Sequence, residues 1–173
     1  MNITLSEKNI NTYSFPEVES KSNIKSLITG IILIIASCAL FYLSSLISGN
    51  MASSLSIFGG VIMICVGLYL IIWQSKHEIY KPSGSVIKKV RIFYASEDLY
   101  GLKNSLENQD VKSFEKFKKQ HEGNVQLSIV YSKDNQYFAA QVLKYEPFEY
   151  KPQSDILIAE GETAARFIAN IKN

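Results

Sequence analysis

A chain of 173 residues has room for one or two domains, and its formal charge of +2 hides a strong segregation. From Ile24 to Trp73 there is no Asp, Glu or Arg and a single Lys, Lys25, whereas from Lys76 onward 15 basic and 13 acidic residues interleave. That balance lacks the basic excess of a nucleic-acid module and argues against nucleic acid as a partner. The two cysteines, Cys38 and Cys65, both inside the apolar block, are too few for a disulfide framework.

Residues 1–23, rich in Asn, Ser, Glu and Lys, read as a polar cytoplasmic tail. Ile3, Leu5, Tyr13, Phe15 and Val18 give part of it the means to dock on a later domain. Two apolar runs follow, Ile24–Ile47 of about 24 residues and Leu55–Trp73 of about 19. A bilayer core of ~30 Å needs about 20 apolar residues in a helix, and neither run carries the polar stripe of a surface helix. The expectation is two transmembrane helices; a buried helical hairpin in a soluble core is the alternative. Between them, residues 48–54 include the turn formers Ser48, Gly49, Asn50, Ser53 and Ser54, which make the helices antiparallel neighbours.

Lys21 and Lys25 precede the first span, and Lys76, Lys81, Lys88, Lys89 and Arg91 follow the second, while the turn has no Lys or Arg. The positive-inside rule then puts both termini in the cytoplasm of a bacterial inner membrane and the turn outside. Gly30, Ser37 and Ser44 recur every seven residues, as do Ser53, Gly60 and Gly67, giving each helix a strip of small side chains. Such strips let helix backbones approach closely in lipid, either within the hairpin or between copies. Neither span holds an acid or a histidine, which argues against an ion path. The motif "IASC", Ile35–Cys38, matches a bacterial lipoprotein signal, but the apolar run continues through "CALFYLSSLI" where a processed lipoprotein carries a polar tether.

The periodicity changes after the second span. "SVIKKVRIFYA", Ser85–Ala95, reads as a strand. Ser96 offers an N-cap with Glu97 and Asp98 in the first turn, for a helix running to Asn108. Asp110 caps a second predicted helix over "VKSFEKFKKQHE", with Val111, Phe114 and Phe117 as its buried stripe. "VQLSIVYS", Val125–Ser132, alternates cleanly; Lys133, Asp134 and Asn135 turn the chain, and "QYFAAQVLKYE" returns as its β-hairpin partner. The short run "ILIA" and a helix from Glu162 to Ile171 close the chain. The order β-α-α-β-β-β-α over residues 74–173 predicts a small cytoplasmic α+β domain with a mainly antiparallel sheet, anchored by the helical hairpin.

Two spans followed by "YKPSGSVIKK", a helix pair, "SKDNQYFAAQVLKYEPFEYKP" and a terminal helix resemble a group of small bacterial two-span membrane proteins with a C-terminal α+β domain. The resemblance implies this architecture and no activity.

The only histidines, His77 and His121, and the absence of any cysteine beyond the spans leave no metal-ligand spacing. No nucleophile elbow, Walker loop or GxGxxG follows a strand. Glu97/Asp98 and Glu160/Glu162 read as helix-start acids. No catalytic, cofactor or metal residue is assigned. Lys88, Lys89, Arg91, Lys112, Lys116 and Lys119 are candidates for contact with anionic headgroups, or an ordinary solvated face. In "KYEPFEYKP", Tyr145, Phe148 and Tyr150 crowd between Pro147 and Pro152, either as core or as a partner-binding edge. The expected role is a non-catalytic binding or accessory module of an inner-membrane complex. Its expected partners are the lipid bilayer and either another protein or a second copy. An enzyme working at the membrane surface and a homo-oligomeric membrane assembly are the alternatives.

Overall fold

The computed structural model describes residues 8–46 and 49–172; Ile3, Leu5, Ile47 and Ser48 lie outside the described residues. In chain order the elements are β1 (Val18–Ser22), α1 (Ile24–Leu46), α2 (Asn50–Ile72), β2 (Lys76–Tyr80), β3 (Ser85–Tyr94) and a 3-10 turn (Ser96–Asp98) that runs into α3 (Leu99–Glu107). A second 3-10 helix (Val111–Lys116), β4 (Val125–Ser132), β5 (Tyr137–Glu146), β6 (Glu149–Pro152), β7 (Leu157–Glu160) and α4 (Gly161–Lys172) complete the chain. They form two compact units: Ser20–Glu78, and the residues up to Glu19 together with those from Ile79 onward.

The first unit is a helical hairpin. α1 and α2 are 23 residues each and are long and apolar enough to cross a membrane. α2 starts at Asn50, with Gly49 extended before it. Asn50, Ser53 and Ser54 therefore belong to the helix and not to the connection predicted over residues 48–54. The base is tied by Asn23 N–H donating to the Ser75 carbonyl at 2.6 Å. The helix backbones approach closely at two glycines: a Cβ on Gly30 would lie 2.8 Å from the Gly67 carbonyl oxygen, and one on Gly67 would lie 2.9 Å from that of Gly30. Gly60 faces the Phe41 ring in the same way, at 2.9 Å. Ser37 is fully buried. The Ser53 hydroxyl donates to the Ser44 carbonyl at 3.0 Å, and that of Ser26 to the Leu70 carbonyl at 3.1 Å. In an apolar surrounding these small residues replace side-chain bulk by backbone contact and hydrogen bonds across the pair.

The second unit is a mixed α+β fold on a mostly antiparallel sheet. The strand order is β1-β2-β3-β4-β5-β6, with β7 also pairing β5. β5 is the hub: β4 runs along one side, and on the other β7 pairs Tyr137–Ala140 and β6 pairs Leu143–Glu146. The predicted order β-α-α-β-β-β-α therefore needs correction, because β1, β2 and β6 were not expected as strands. β6 arises because Pro147 and Phe148 reverse the chain in two residues, which sets Glu149 opposite Glu146.

The second predicted α-helix is also corrected. It is a 3-10 helix that ends at Lys116. Val111, Phe114 and Phe117 recur every three residues, which is the 3-10 repeat. Ser113 donates its hydroxyl to Asp110 at its start. Ser96 makes no capping hydrogen bond; the residue before the turn is the extended Ala95, and the Ser96 hydroxyl instead accepts from Asn124 Nδ2 at 3.2 Å.

Each face of the sheet is covered by something different. On one, α3, the 3-10 helix and α4 bury Tyr94, Leu102, Leu127, Ile129, Val142 and Ile168 around a stacked pair, Phe138 and Phe167, whose rings are 4.9 Å apart. On the other, the N-terminal segment lies across the strands, and its Ile10 and Phe15 join Tyr80, Ile87, Val130, Tyr137 and Leu143. One side chain clamps it. The Gln141 carbonyl accepts from Ile10 N–H at 2.8 Å, and its amide donates to the carbonyls of Lys8 and Ser154, both at 2.9 Å. The Ser128 hydroxyl bonds Asn11 Oδ1 at 3.1 Å, and Lys81 donates its ammonium to the Pro16 carbonyl at 2.6 Å.

Two buried tyrosines give this unit an alkaline limit. Burial, and then the charge of Asp98, push Tyr94 up to about 12. Tyr137 is raised further by burial and the nearby Glu17. An unfolded tyrosine releases its proton near 10, where the folded protein still holds these two. Their contribution is thus complete below about pH 10 and is lost as pH rises towards 12. The melting midpoint of the full chain in mild detergent should be level between roughly pH 8 and 9.5 and fall beyond it. A midpoint unchanged up to pH 11 would contradict this.

Candidate functional site

The β5–β6 turn places an aromatic residue where the backbone disfavours one. Pro147 occupies the first turn position, and Phe148 follows with φ of 75°. A tight turn that begins with proline and then needs positive φ is ordinarily completed by Gly or Asn. Gly84, Gly161 and Asn135 take left-handed positions at other reversals, and Gln109, with φ of 55° after α3, is the other exception among the described residues. Holding a side chain such as Phe there costs roughly 1–2 kcal/mol. Phe148 recovers nothing by burial, since it is 97% exposed.

The turn stands on a well-fixed stem. Tyr145 and Tyr150 pair across the strands with rings 5.2 Å apart. The Tyr150 hydroxyl donates to the Gly123 carbonyl at 2.8 Å, its ring packs near Phe93, and its own carbonyl accepts from Asn9 Nδ2 at 3.0 Å. Lys151 reaches Glu146 at 2.6 Å, and that carboxylate holds the ammonium above its ordinary range. The three aromatics of "KYEPFEYKP" thus divide: Tyr150 anchors the stem, Tyr145 is half exposed, and Phe148 projects from it.

The basic candidates are not gathered on one surface. Lys88, Lys89 and Arg91 are exposed on β3. Alternation along a strand sends Lys88 to the helix face, with Val90 and Ile92, and Lys89 and Arg91 to the opposite one. Lys112 and Lys116 are exposed on the 3-10 helix. At three residues per turn they point about a third of a turn apart, and Lys119 lies past its end with its ammonium on the Ile171 carbonyl at 3.1 Å. The lysine face expected of an α-helix does not form.

An apolar cavity of about 130 Å³ opens between β3, β4 and α4, lined by Val90, Ile92, Ile129, Tyr131, Ile168 and Ile171 among others. A second, more polar groove of about 370 Å³ lies beside Tyr94, Phe114, Phe117, Lys119 and Asn170. Among the described residues no three of His, Cys, Asp or Glu converge to hold a metal. Sequence reasoning missed the apolar cavity, the Gln141 clamp and the Ser26 contact. Of these only Ser26 had a local signal, four residues before Gly30 on the same helix face. Comparison with protein-family models, curated proteins and solved structures finds no match to this chain.

Proposed function

We propose that this chain is a non-catalytic binding module of an inner-membrane complex, held at the bilayer by its helical hairpin and presenting the β5–β6 tip to a protein partner. The observation that carries the reading is Phe148: an exposed aromatic in a costly backbone conformation on a rigid stem. Residues kept in disfavoured conformations concentrate at functional positions, and interface energy concentrates in a few aromatic anchors. The discontinuous second unit supports a hairpin that enters and leaves the bilayer on one side, because the segment before α1 packs with the chain after α2. The lysines flanking the two helices and the uncharged connection favour the cytoplasmic side for that unit.

A photoreactive phenylalanine analogue placed at position 148 of the full chain in cells should form a protein adduct. The same group at position 135, the left-handed turn position of the β4–β5 hairpin, should not. Phe148→Ala should leave the melting midpoint within the range of a surface change, about 0.5 kcal/mol. No adduct at 148, or the same adducts at both positions, would refute the reading.

A further inference from the structure

We propose that two copies of this chain pair through the free edge of β1, strand against strand and antiparallel, so that one sheet continues into the other. β1 stands at the end of the strand order, with β2 on one side of it. Val18 is half-buried, and Glu19, Ser20, Lys21 and Ser22 are exposed. An uncovered edge offers its backbone to another strand.

Backbone bonds at the two ends of β1 fix which residues face outward. The Glu17 carbonyl accepts from Lys81 N–H at 2.8 Å, and Asn23 N–H donates to the Ser75 carbonyl at 2.6 Å. The odd-numbered residues therefore turn their peptide groups towards β2. Alternation turns those of Val18, Ser20 and Ser22 to the open side. Val18 N–H is already held by the Phe15 carbonyl at 3.0 Å, which leaves the Val18 carbonyl and both groups of Ser20 and Ser22 for a partner strand.

Charge selects the occupant and the register. Two identical strands paired antiparallel are related by a two-fold axis, which makes the contact isologous. Only a register centred on Ser20 sets all five residues of β1 opposite partners. Ser20 then exchanges both hydrogen bonds with Ser20 of the other copy, and Ser22 N–H meets the Val18 carbonyl. Glu19 stands opposite Lys21 twice over. These two side chains share a strand face and occupy the closer, non-hydrogen-bonded pairs. Neither makes an ion pair among the described residues. Centring the pair on Glu19 or on Lys21 would oppose like charges, which destabilises a sheet. A lysine on an edge ordinarily turns other strands away; here its complement is the same strand of a second copy.

The ladder is short. The proposal therefore rests on the reading of the hairpin as a bilayer anchor, which confines the copies to one plane and raises their effective concentration.

The test uses whole cells making the full chain with Cys38→Ala and Cys65→Ala, treated with a membrane-permeant oxidant. Ser20→Cys should give a disulfide-linked dimer, because directly opposed residues of a hydrogen-bonded pair lie about 5.5 Å apart between Cα atoms, within reach of a disulfide. Ser22→Cys should give none, since the two copies of that residue would lie roughly 13 Å apart along the strands. Adding Glu19→Lys to Ser20→Cys should cut the yield about fivefold or more, and adding Lys21→Glu to that chain should restore it. No dimer from Ser20→Cys, or equal dimer from Ser20→Cys and Ser22→Cys, would overturn the pairing. A yield that ignores Glu19→Lys would overturn it too, because the charges would not be setting the register. Fractionation of the same cells reports on the anchor separately. A membrane-bound chain without the dimer removes the pairing alone, and a chain outside the membrane fraction without the dimer removes both.

Discussion

Replacing Gln141 with leucine in the full chain is expected to free the N-terminal segment and to destabilise the second unit by roughly 3–5 kcal/mol. The side chain is fully buried, and leucine fills nearly the same space, so a cavity is not the cause. The loss is of partners. Ile10 N–H and the carbonyls of Lys8 and Ser154 would each lose the bond that Gln141 supplies; water can reach the Lys8 carbonyl, but the two groups in buried bonds cost about 1–3 kcal/mol each when orphaned. Val142 N–H bonds the Ser154 hydroxyl independently and should keep that loop near β5. The Lys8–Glu19 segment is therefore the part that departs. Thermal melting reports the size of the effect, and limited proteolysis reports its place, with new cleavage before Glu19 and none within β4 or β5. A variant that melts and resists protease like the parent would show that the clamp is dispensable.

The second large effect lies in the helical hairpin. Gly30→Ala should destabilise the helix pair at the upper end of the roughly 1–3 kcal/mol of an overpacked site. The added methyl would meet the Gly67 carbonyl oxygen at 2.8 Å and Ile71 Cγ1 at 2.7 Å. A side chain can rotate away, but a helix carbonyl cannot, so α1 and α2 must separate. Separation would weaken the Ser26–Leu70 and Ser53–Ser44 bonds as well. Gly59→Ala is the control. Its Cβ would find only Leu40 Cδ1, at 3.7 Å, and alanine favours a helix over glycine by up to ~1 kcal/mol. Thermal denaturation in mild detergent should rank Gly59→Ala at or above the parent and Gly30→Ala well below it. Equal midpoints for the two variants would mean that the glycine approach does not hold the pair together.

The parts of the fold legible in the sequence were those whose cause is local. Two uninterrupted apolar runs read as long helices, and Val125, Leu127, Ile129 and Tyr131 read as one strand face because the β repeat is two. The small residues of α1 and α2 announced their strips through a seven-residue spacing. The opposite face of β4 and β5 was harder. Gln126, Ser128 and Gln141 look like solvent-facing positions, yet all three are buried. At Ser128 and Gln141 the polar partners belong to a segment more than a hundred residues away in sequence. No local pattern distinguishes a polar residue that meets water from one that meets a distant backbone.

The 3-10 helix was legible in principle from the spacing of Val111, Phe114 and Phe117, but Asp110 before an apolar stripe reads equally as the start of an α-helix. At the candidate site the proline turn and its three aromatics were visible in "KYEPFEYKP". Which aromatic projects was not, because that depends on the pairing of Glu146 with Glu149 and the sign of φ at Phe148. A soluble piece beginning at Tyr80 would lack Ile10 and Phe15 and leave Ile87, Val130 and Leu143 uncovered, so the full chain is the right object for every measurement above.

The N-terminal strap also sets a clock on synthesis. Ile10 leaves the ribosome early, but Gln141 is made 131 residues later, which at about 5–20 residues per second is a wait on the order of ten seconds. Both long apolar helices are made during that interval, so the first piece of the second unit is produced before the hairpin and can be used only after it. The sheet face it covers cannot be closed in the order of translation. Until β5 is complete, the strap has β2 and Lys81 to hold its later residues, but Ile10 has no Gln141 to bond.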